Sequence, residues 1–182
     1  MFNFDRRKFI KTTSLSAAFA STSSLYSFKS RNTNQKYMGD FSSPKLDNIK
    51  AAFIGVGHRG KGHVNLFASL PGTEVVAISD LYEDNIIASK EIIRKLNKPT
   101  DKINTYWGGE NKWKTMLKEV QPDIVFISTN WNTHGEMAIE TMKNNAHAFV
   151  EVPLALTINQ LWEIVNTSET YNKHCMMMEN VN

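Results

Sequence analysis

The sequence predicts an α/β domain with a doubly wound parallel sheet, and two observations lead to this fold class. From residue 49 onward, short apolar runs alternate with helix-length segments, as in strands joined by right-handed helical crossovers. The first apolar run ends in a glycine-rich turn, GVGHRG at residues 55–60, which opens the first predicted helix. The hydrophobic share of 41% is ordinary for a globular domain.

Two strands and two helices are predicted in the first half of the domain. Lys50–Val56 and Glu74–Ser79 are short apolar runs, which suits strands buried on both faces of a parallel sheet. A helix over Gly60–Leu70 ends before a Pro-Gly pair, and an amphipathic helix over Glu83–Leu96 ends before an asparagine and a proline. The order is therefore strand, helix, strand, helix.

The second half continues this alternation after a loop with the sequence YWGG at residues 106–109. Three further helices are predicted over Trp113–Val120, Glu136–Asn144 and Ile158–Tyr171. Three further strands are predicted over Asp123–Ser128, His147–Val150 and Cys175–Glu179. Because parallel strands all end at one edge of a sheet, we expect the residues that follow them to meet at that edge.

The first twenty residues resemble a twin-arginine export signal. Arg6 and Arg7 are followed by Phe9 and Lys11, and then by a moderately apolar stretch. An Ala-x-Ala pattern at residues 18–20 suits cleavage by a signal peptidase, although a retained anchor is an alternative. We predict export by this route, which moves folded proteins, to the periplasm or the cell surface.

Residues 21–48 are rich in serine, asparagine, threonine and lysine without any period, so we predict a flexible linker. Four aromatic residues are scattered in this segment and could pack on the domain: Tyr26, Phe28, Tyr37 and Phe41. The predicted organisation is a signal at residues 1–20, a linker at 21–48 and one domain at 49–182.

Charge and composition argue against several classes of function. After residue 20, 17 basic residues balance 17 acidic ones, so no basic patch indicates a nucleic-acid partner. No apolar run approaches the roughly 20 residues that cross a bilayer. Cys175 is the single cysteine, which excludes an internal disulfide, and we interpret it as a small buried hydrophobe. His63, His147 and His174 lack the spacing of metal ligands, so we predict no metal site and interpret them as structural.

The glycine-rich turn predicts a dinucleotide site. Gly55 permits the tight turn, Gly57 lets the backbone approach a pyrophosphate, and Gly60 lets the helix pack against the strand. The helix N-terminus adds free N–H groups for the phosphates. Asp80 ends the second strand twenty residues after Gly60, where a carboxylate accepts hydrogen bonds from the adenosine ribose and repels a 2′-phosphate. NAD is therefore the predicted cofactor, and a turn-capping role is the alternative for Asp80.

Together with this fingerprint, later blocks of the sequence resemble the Gfo/Idh/MocA oxidoreductase superfamily and, within it, glycoside hydrolase family 109. The blocks are EVVAISDLY at residues 74–82, PDIVFIST at 122–129, WNTH at 131–134, AFVEVPLA at 148–155 and KHCMMMEN at 173–180. The resemblance runs from about residue 49 to the end. It implies a Rossmann NAD-binding domain followed by a second, sheet-containing substrate domain that is missing here, so we expect the chain to be a fragment.

The resemblance also implies which residues contact NAD. They are His58, Arg59, Asp80, Trp131, Asn132, Thr133, His134, Glu151, Val152 and Asn180. We expect His58 and Arg59 to act mainly through their backbone, and the others follow predicted strand ends, where open α/β sheets bind ligands. Structural alternatives are a helix cap for His134, a core or lid aromatic for Trp131 and a turn residue for Asn180.

One departure from the superfamily bears on the chemistry. Ordinary dehydrogenases of this group have Glu-Lys-Pro where this chain has Glu151, Val152 and Pro153, and valine cannot help a hydroxyl lose its proton. The resemblance therefore implies an α-N-acetylgalactosaminidase that oxidises the sugar at C3 with bound NAD, eliminates the glycosidic oxygen, adds water and reduces the ketone again. NAD is not consumed, and no pair of catalytic carboxylates is expected.

Two other functions stay open at this point. One is an exported sugar oxidoreductase of the same superfamily, dependent on NAD or NADP. The other is a truncated domain that binds NAD without catalysis. The family's substrate-binding and proton-transfer residues lie largely in the second domain, so we expect the isolated chain to be inactive. The expected partner is a small-molecule glycoside, and a homo-oligomer could form through the missing domain.

Overall fold

The computed structural model describes residues 37–179, which form a six-stranded parallel sheet with helices on both faces. The strands are β1 (Ile49–Ile54), β2 (Thr73–Ser79), β3 (Asn104–Tyr106), β4 (Ile124–Ile127), β5 (His147–Glu151) and β6 (Cys175–Met178). Their order across the sheet is β3-β2-β1-β4-β5-β6, and each neighbouring pair is parallel. The predicted doubly wound α/β class is confirmed. The winding reverses between β1 and β4, so a crevice opens at the carboxyl ends of these strands.

Five helices connect the strands within residues 37–179. They are α1 (His58–Ser69), α2 (Glu83–Lys95), α3 (Lys112–Val120), α4 (Trp131–Lys143) and α5 (Ile158–Tyr171). Apolar residues of α1 and α2 share one core cluster with the sheet, and those of α3, α4 and α5 share the cluster on its other face. None of these helices combines the length and apolarity that crossing a membrane requires.

A row of phenylalanines joins three strands on the α1 face of the sheet. Phe53 of β1, Phe126 of β4 and Phe149 of β5 are register partners across neighbouring strands. Their rings stack with centroid distances of 4.9 and 5.3 Å, and Phe67 of α1 packs 5.4 Å from Phe126. Such pairs contribute about 0.5–1.5 kcal/mol beyond the burial of their area. The row therefore fixes β1, β4 and β5, whose carboxyl ends carry most of the predicted contacts.

Helix α4 begins at Trp131, five residues before the start predicted at Glu136. The prediction was late because threonine and glycine in the segment WNTHG are weak helix formers. In the fold, Gly135 is buried against the side chain of Gln160 on α5, where a Cβ atom would collide. Packing of α4 on α5 therefore overrides local propensity, and the WNTH segment is the first turn of a helix rather than the loop before it.

Strand β3 was not predicted. Residues Asn104–Tyr106 pair with Ala77–Ser79 at the outer edge of β2. A polar strand of three residues has no detectable period, so hydrogen bonds to a neighbour far along the chain define it. The other predicted elements have ends within two residues of those observed. The position of β3 matters because it directs the following loop, residues 107–111, to the carboxyl edge of the sheet.

The last part of the predicted linker lies within the described residues and contacts the domain. Ser43 Oγ is 2.9 Å from His147 Nε2, and the ring of Phe41 lies 5.0 Å from that of His174. The backbone N–H of His174 donates to His147 Nδ1 at 2.8 Å. The predicted signal at residues 1–20 and the linker up to residue 36 lie outside the described residues.

We expect His147 to make the stability of the fold depend on pH. The pKa of His147 is lowered from 6.5 to about 4, mainly because the ring is buried. The charges of Lys173 and His174 lower this pKa further, whereas the charge of Asp123 raises it. The neutral ring therefore stabilises the fold fully above pH 6.5, and this contribution is lost as the pH falls towards 4. Melting temperatures of wild type and His147→Gln across this interval check the prediction. The wild type should lose more stability than the variant, and parallel curves would contradict it.

Candidate functional site

A cleft of about 440 Å³ lies at the carboxyl edge of the sheet. Its walls come from the glycine turn after β1, from Asp80 after β2 and from residues 128–130 after β4. The rest of the lining comes from residues 81–85 after Asp80, from the 107–111 loop and from α3 and α4. This is the crevice outside the strand ends at which open α/β sheets bind ligands. Within residues 37–179, no group of histidine, cysteine, aspartate and glutamate is arranged to hold a metal ion.

The three glycines of the turn have three different environments. Gly55 has a φ of +80°, and a Cβ there would lie 2.7 Å from the carbonyl oxygen of Ser128, so both conformation and space require glycine. A Cβ on Gly60 would collide with the carbonyl oxygen of Gly55, because α1 starts directly against the end of β1. At Gly57 a Cβ would meet no atom within 4 Å. The fold itself thus requires Gly55 and Gly60 but leaves the space at Gly57 open.

The open space at Gly57 fits a pyrophosphate. Gly57 lines the cleft and is the N-cap of α1, and within residues 37–179 no side-chain hydrogen bond caps the start of this helix. The N–H groups of that turn are therefore available to an anion. Ser128 also lines the cleft, and its buried Oγ has no hydrogen-bond partner within the described protein. An unpaired buried hydroxyl costs about 1–3 kcal/mol, which a phosphate oxygen accepting its hydrogen would offset.

The carboxylate of Asp80 lines the cleft and is hydrogen-bonded to the backbone of the glycine turn. Its Oδ2 accepts a 2.7 Å hydrogen bond from the N–H of Val56, inside the fingerprint. Its Oδ1 accepts from the N–H of Tyr82 at 2.9 Å and from the side chain of Asn85 at 3.1 Å. The turn-capping role is therefore present. Each carboxylate oxygen can accept two hydrogen bonds, so Oδ2 keeps a lone pair for a ribose hydroxyl in the cleft.

Glu151 forms an ionic cluster beside the cleft. Its Oε1 accepts hydrogen bonds of 2.7 Å from both Arg59 Nε and His63 Nε2. Its Oε2 accepts only a longer bond, 3.3 Å, from the N–H of Val152 among the described contacts. Burial alone raises the pKa of Glu151, but the hydrogen bonds from Arg59 and His63 and the charge of Arg59 together lower it below its usual value. The carboxylate is therefore held in its ionised form.

His134 lies in the interior, away from the cleft surface. Its ring is fully buried, its Nδ1 lies 2.8 Å from the carbonyl oxygen of Pro153, and its Nε2 lies 3.2 Å from that of Thr129. A carbonyl oxygen only accepts, so the ring N–H is the donor, and the shorter contact favours donation from Nδ1 to Pro153. The imidazole thus joins the start of α4 to the loop after β5. The residue as a whole is 0% exposed, so neither its ring nor its backbone offers a surface to the cleft.

Replacing His134 with leucine is expected to destabilise the fold by about 1–3 kcal/mol, because the partly buried carbonyl of Pro153 loses its donor. The free energy of unfolding, measured in urea, checks this expectation. The matched control is His58→Leu, the same change at an exposed position in the first turn of α1, which should change stability by less than about 0.5 kcal/mol. Equal effects of the two substitutions would show that the hydrogen bond between His134 and Pro153 contributes nothing to the free energy of unfolding.

The comparison with known families is consistent with this geometry. The model of the Gfo/Idh/MocA oxidoreductase family, NAD-binding Rossmann fold, matches residues 49–179. The chain belongs to the Gfo/Idh/MocA family. The matched range includes all six strands, the glycine turn and the cleft that it lines. Recognition of the Rossmann NAD-binding domain from the sequence is therefore confirmed.

Among curated proteins, the chain is similar to glycosyl hydrolase family 109 proteins. It is 49% identical over 146 residues to protein 1 of Akkermansia muciniphila, covering 80% of this chain and 30% of that protein. It is 44% identical over 183 residues to a protein of Shewanella pealeana, covering 98% of this chain and 40% of that protein. The chain thus spans only about a third of the length of these relatives.

Solved structures of two inositol dehydrogenases share the fold. Myo-inositol 2-dehydrogenase from Lactobacillus plantarum has a TM-score of 0.59 and 25% identity, over 72% of this chain and 36% of that chain. Scyllo-inositol dehydrogenase from Lactobacillus casei, solved with NAD(H) and scyllo-inositol, has a TM-score of 0.60 and 17% identity, over 71% of this chain and 36% of that chain. At this low identity the second likeness concerns the fold alone.

The residues predicted to contact NAD differ in their position relative to the cleft of this Gfo/Idh/MocA domain. Four line the cleft: Gly55, Gly57, Asp80 and Thr133. Those beside it but outside its lining are His58, Arg59, Gly60, Trp131, Asn132, Glu151 and Val152. His134 is buried, and Asn180 lies outside the described residues. Whether each residue contacts NAD stays a prediction.

Several cleft residues were missed by the sequence analysis. Asn85 on α2 holds Asp80, Ser128 faces the glycine turn, and Asn111 reaches the cleft from the loop after β3. Ser128 had a usable signal, because it directly follows a strand that pairs with β1. Asn85 and Asn111 had none, since their positions depend on where α2 and β3 pack. Cys175 is half-buried, and burial raises the pKa of its thiol to about 12, as suits a structural residue.

Proposed function

We propose that this chain binds NAD in the cleft at the carboxyl edge of its sheet, as the cofactor domain of an NAD-dependent α-N-acetylgalactosaminidase. One observation carries the cofactor part of the proposal. The space at Gly57 is open and faces the cleft, while the carboxylate of Asp80 holds the adjoining N–H of Val56. A turn built this way has room for a pyrophosphate and an acceptor for the ribose one strand away.

Each wall of the cleft has a task in this proposal. The amides at the start of α1 and the hydroxyl of Ser128 hold the pyrophosphate, and Asp80 accepts hydrogen bonds from the adenosine ribose. Oε2 of Glu151 accepts from a hydroxyl at the nicotinamide end. Trp131, which is 64% exposed at the start of α4, offers an apolar surface beside the cleft. Bound NAD would supply a reversible two-electron oxidation of the sugar.

The residue that favours a glycosidase over a dehydrogenase is Val152. Its side chain is partly exposed beside Glu151, at the position where related dehydrogenases carry lysine. A valine there can neither donate nor accept the proton of a reacting hydroxyl. The similarity to glycosyl hydrolase family 109 proteins supports the same choice. The proton-transfer groups of the reaction would then come from elsewhere in the protein.

Binding of NAD by the 182-residue chain tests the cofactor part directly. Equilibrium dialysis should give saturable binding of NAD and weaker binding of NADP, because Asp80 repels a 2′-phosphate. Circular dichroism on the same sample controls for folding. A folded chain that retains neither dinucleotide would overturn the proposal and leave a domain without cofactor function.

The glycosidase part is tested on the chain together with any coding sequence that continues it. With bound NAD, this protein should release N-acetylgalactosamine from an α-glycoside, incorporate solvent deuterium at C2 and accumulate no NADH. An exported sugar oxidoreductase, the second candidate on this fold, would instead produce NADH in proportion to oxidised sugar. The isolated chain should release no sugar in either case. Assembly into a homo-oligomer through a second domain belongs to the same proposal.

Export by the twin-arginine route is a further part of the proposal. It is supported by the basic segment at residues 1–20. The similarity to the Shewanella pealeana protein covers 98% of this chain and therefore nearly all of this segment. Replacing both Arg6 and Arg7 with lysine should retain the protein in the cytoplasm. Unchanged fractionation of that variant would argue against the route.

A further inference from the structure

The strongest unexplained feature of the molecule is the convergence of two donors on one oxygen of Glu151. Arg59 and His63 are four residues apart on α1, so their side chains lie on one face of the helix, towards the end of β5. Both reach Oε1 at 2.7 Å. His63 lacks any metal-ligand spacing and is predicted from the sequence to be structural, and it has no role in the proposed function.

The two donors differ in how firmly they are held. The side chain of Arg59 is 49% exposed, whereas that of His63 is 16% exposed. The His63 ring also lies 6.1 Å from that of Phe126, at an interplanar angle of 22°, within the phenylalanine row that joins the strands. Because Arg59 is exposed, its guanidinium can leave Glu151 and bind water instead at little cost in free energy. The packed histidine therefore fixes the carboxylate, and the arginine adds charge.

This arrangement leaves the second oxygen of Glu151 as the acceptor for a ligand. With both donors on Oε1, Oε2 has only the 3.3 Å contact from the N–H of Val152 among the described residues. The Glu151 side chain is 13% exposed, so its rotation would move a largely buried charge away from its donors. A fixed acceptor loses less conformational freedom when it binds a hydroxyl than a mobile one does.

We propose that His63 is a positioning residue, which holds Glu151 so that its Oε2 accepts a hydrogen bond from a ribose hydroxyl of NAD. The proposal rests on the proposed function, in which Glu151 contacts the cofactor. It predicts that His63 affects NAD affinity only through Glu151. A histidine that merely supports the fold would instead change stability and leave the affinity of the folded chain unaltered.

Two substitutions of His63 separate these possibilities. His63→Gln retains an N–H donor at nearly the same reach, whereas His63→Leu retains volume but no donor. For the 182-residue chain, His63→Leu should raise the Kd for NAD about tenfold, and His63→Gln should stay within about twofold of wild type. The free energy of unfolding is measured on each variant. If His63→Leu does not fold, His63→Asn, which is polar but too short to reach Glu151, replaces it with the same expectation.

A double-mutant cycle with Glu151→Gln completes the test. In that background, His63→Leu should have no further effect on the Kd for NAD, because the carboxylate it positions is already absent. Additive effects, or an unchanged Kd in His63→Leu with the wild-type Glu151, would overturn the inference. Failure of the wild-type chain itself to bind NAD would be a different result, because it would overturn the proposed function.

Discussion

Gly57→Val is expected to raise the Kd for NAD about 100-fold while the domain stays folded. The structure explains why NAD should bind more weakly and why the domain should still fold. A Cβ atom at Gly57 would meet no protein atom within 4 Å, so we expect the fold to accommodate the substitution. The same side chain would occupy the space in the cleft that the pyrophosphate needs, and it would separate the phosphates from the amides at the start of α1.

The chain offers a matched control for this substitution. Gly62 lies in the same helix, and a Cβ there also meets no atom within 4 Å. Gly62→Val therefore makes the same chemical change without approaching the cleft, and it should leave the Kd for NAD unchanged. Calorimetric titration of both variants checks the prediction. Tight binding by Gly57→Val would show that no phosphate lies at the glycine turn.

Asp80→Asn is expected to weaken NAD binding about tenfold and to narrow the preference for NAD over NADP. The amide keeps one oxygen but loses the negative charge that attracts the ribose hydroxyls and repels a 2′-phosphate. In the wild type, the N–H of Val56 donates a 2.7 Å hydrogen bond to Asp80 Oδ2. In the variant, this N–H faces either an NH₂ group, which cannot accept, or an amide oxygen, which is a weaker acceptor. The glycine turn should therefore loosen as well.

The two effects of Asp80→Asn are separated by measuring both dinucleotides. A loosened turn weakens NAD and NADP alike, whereas loss of the charge weakens NAD and spares NADP. Asp84→Asn, which removes the same charge from an exposed position on α2, serves as the control and should change neither Kd by more than about twofold. An unaltered ratio of the two Kd values in Asp80→Asn would contradict the role of this carboxylate in cofactor choice.

The glycine turn and the ionic cluster around Glu151 are neighbours in the fold. Both lie at the carboxyl edge of the sheet, and the Arg59 side chain connects them, since Arg59 lies between Gly57 and Gly60 in sequence and binds Glu151. A dinucleotide in the cleft would extend from Asp80 towards Glu151. The ionic cluster around Glu151 therefore lies where the reacting end of the cofactor is expected, next to the unusual Val152.

Local sequence was sufficient for the parts of this protein whose physical requirements are local. Gly55 and Gly60 could be predicted because a tight turn and a close helix start allow only glycine there. Asp80 could be predicted because a parallel strand ends directly before it, which sets it at the carboxyl edge of the sheet. Strongly apolar strands such as β1 and β2 were found for the same reason, since burial on both faces leaves a continuous apolar run.

The tertiary structure alone decided which side chains are available and what they contact. His63 meets Glu151 from 88 residues away, and His134 turns into the core towards Pro153, because the packing of α1, α4 and β5 determines these contacts. Strand β3 and the early start of α4 likewise follow from hydrogen bonds and packing with distant neighbours. A sequence pattern reports the conformation that one segment prefers, whereas these features depend on surfaces that exist only after the segments have assembled.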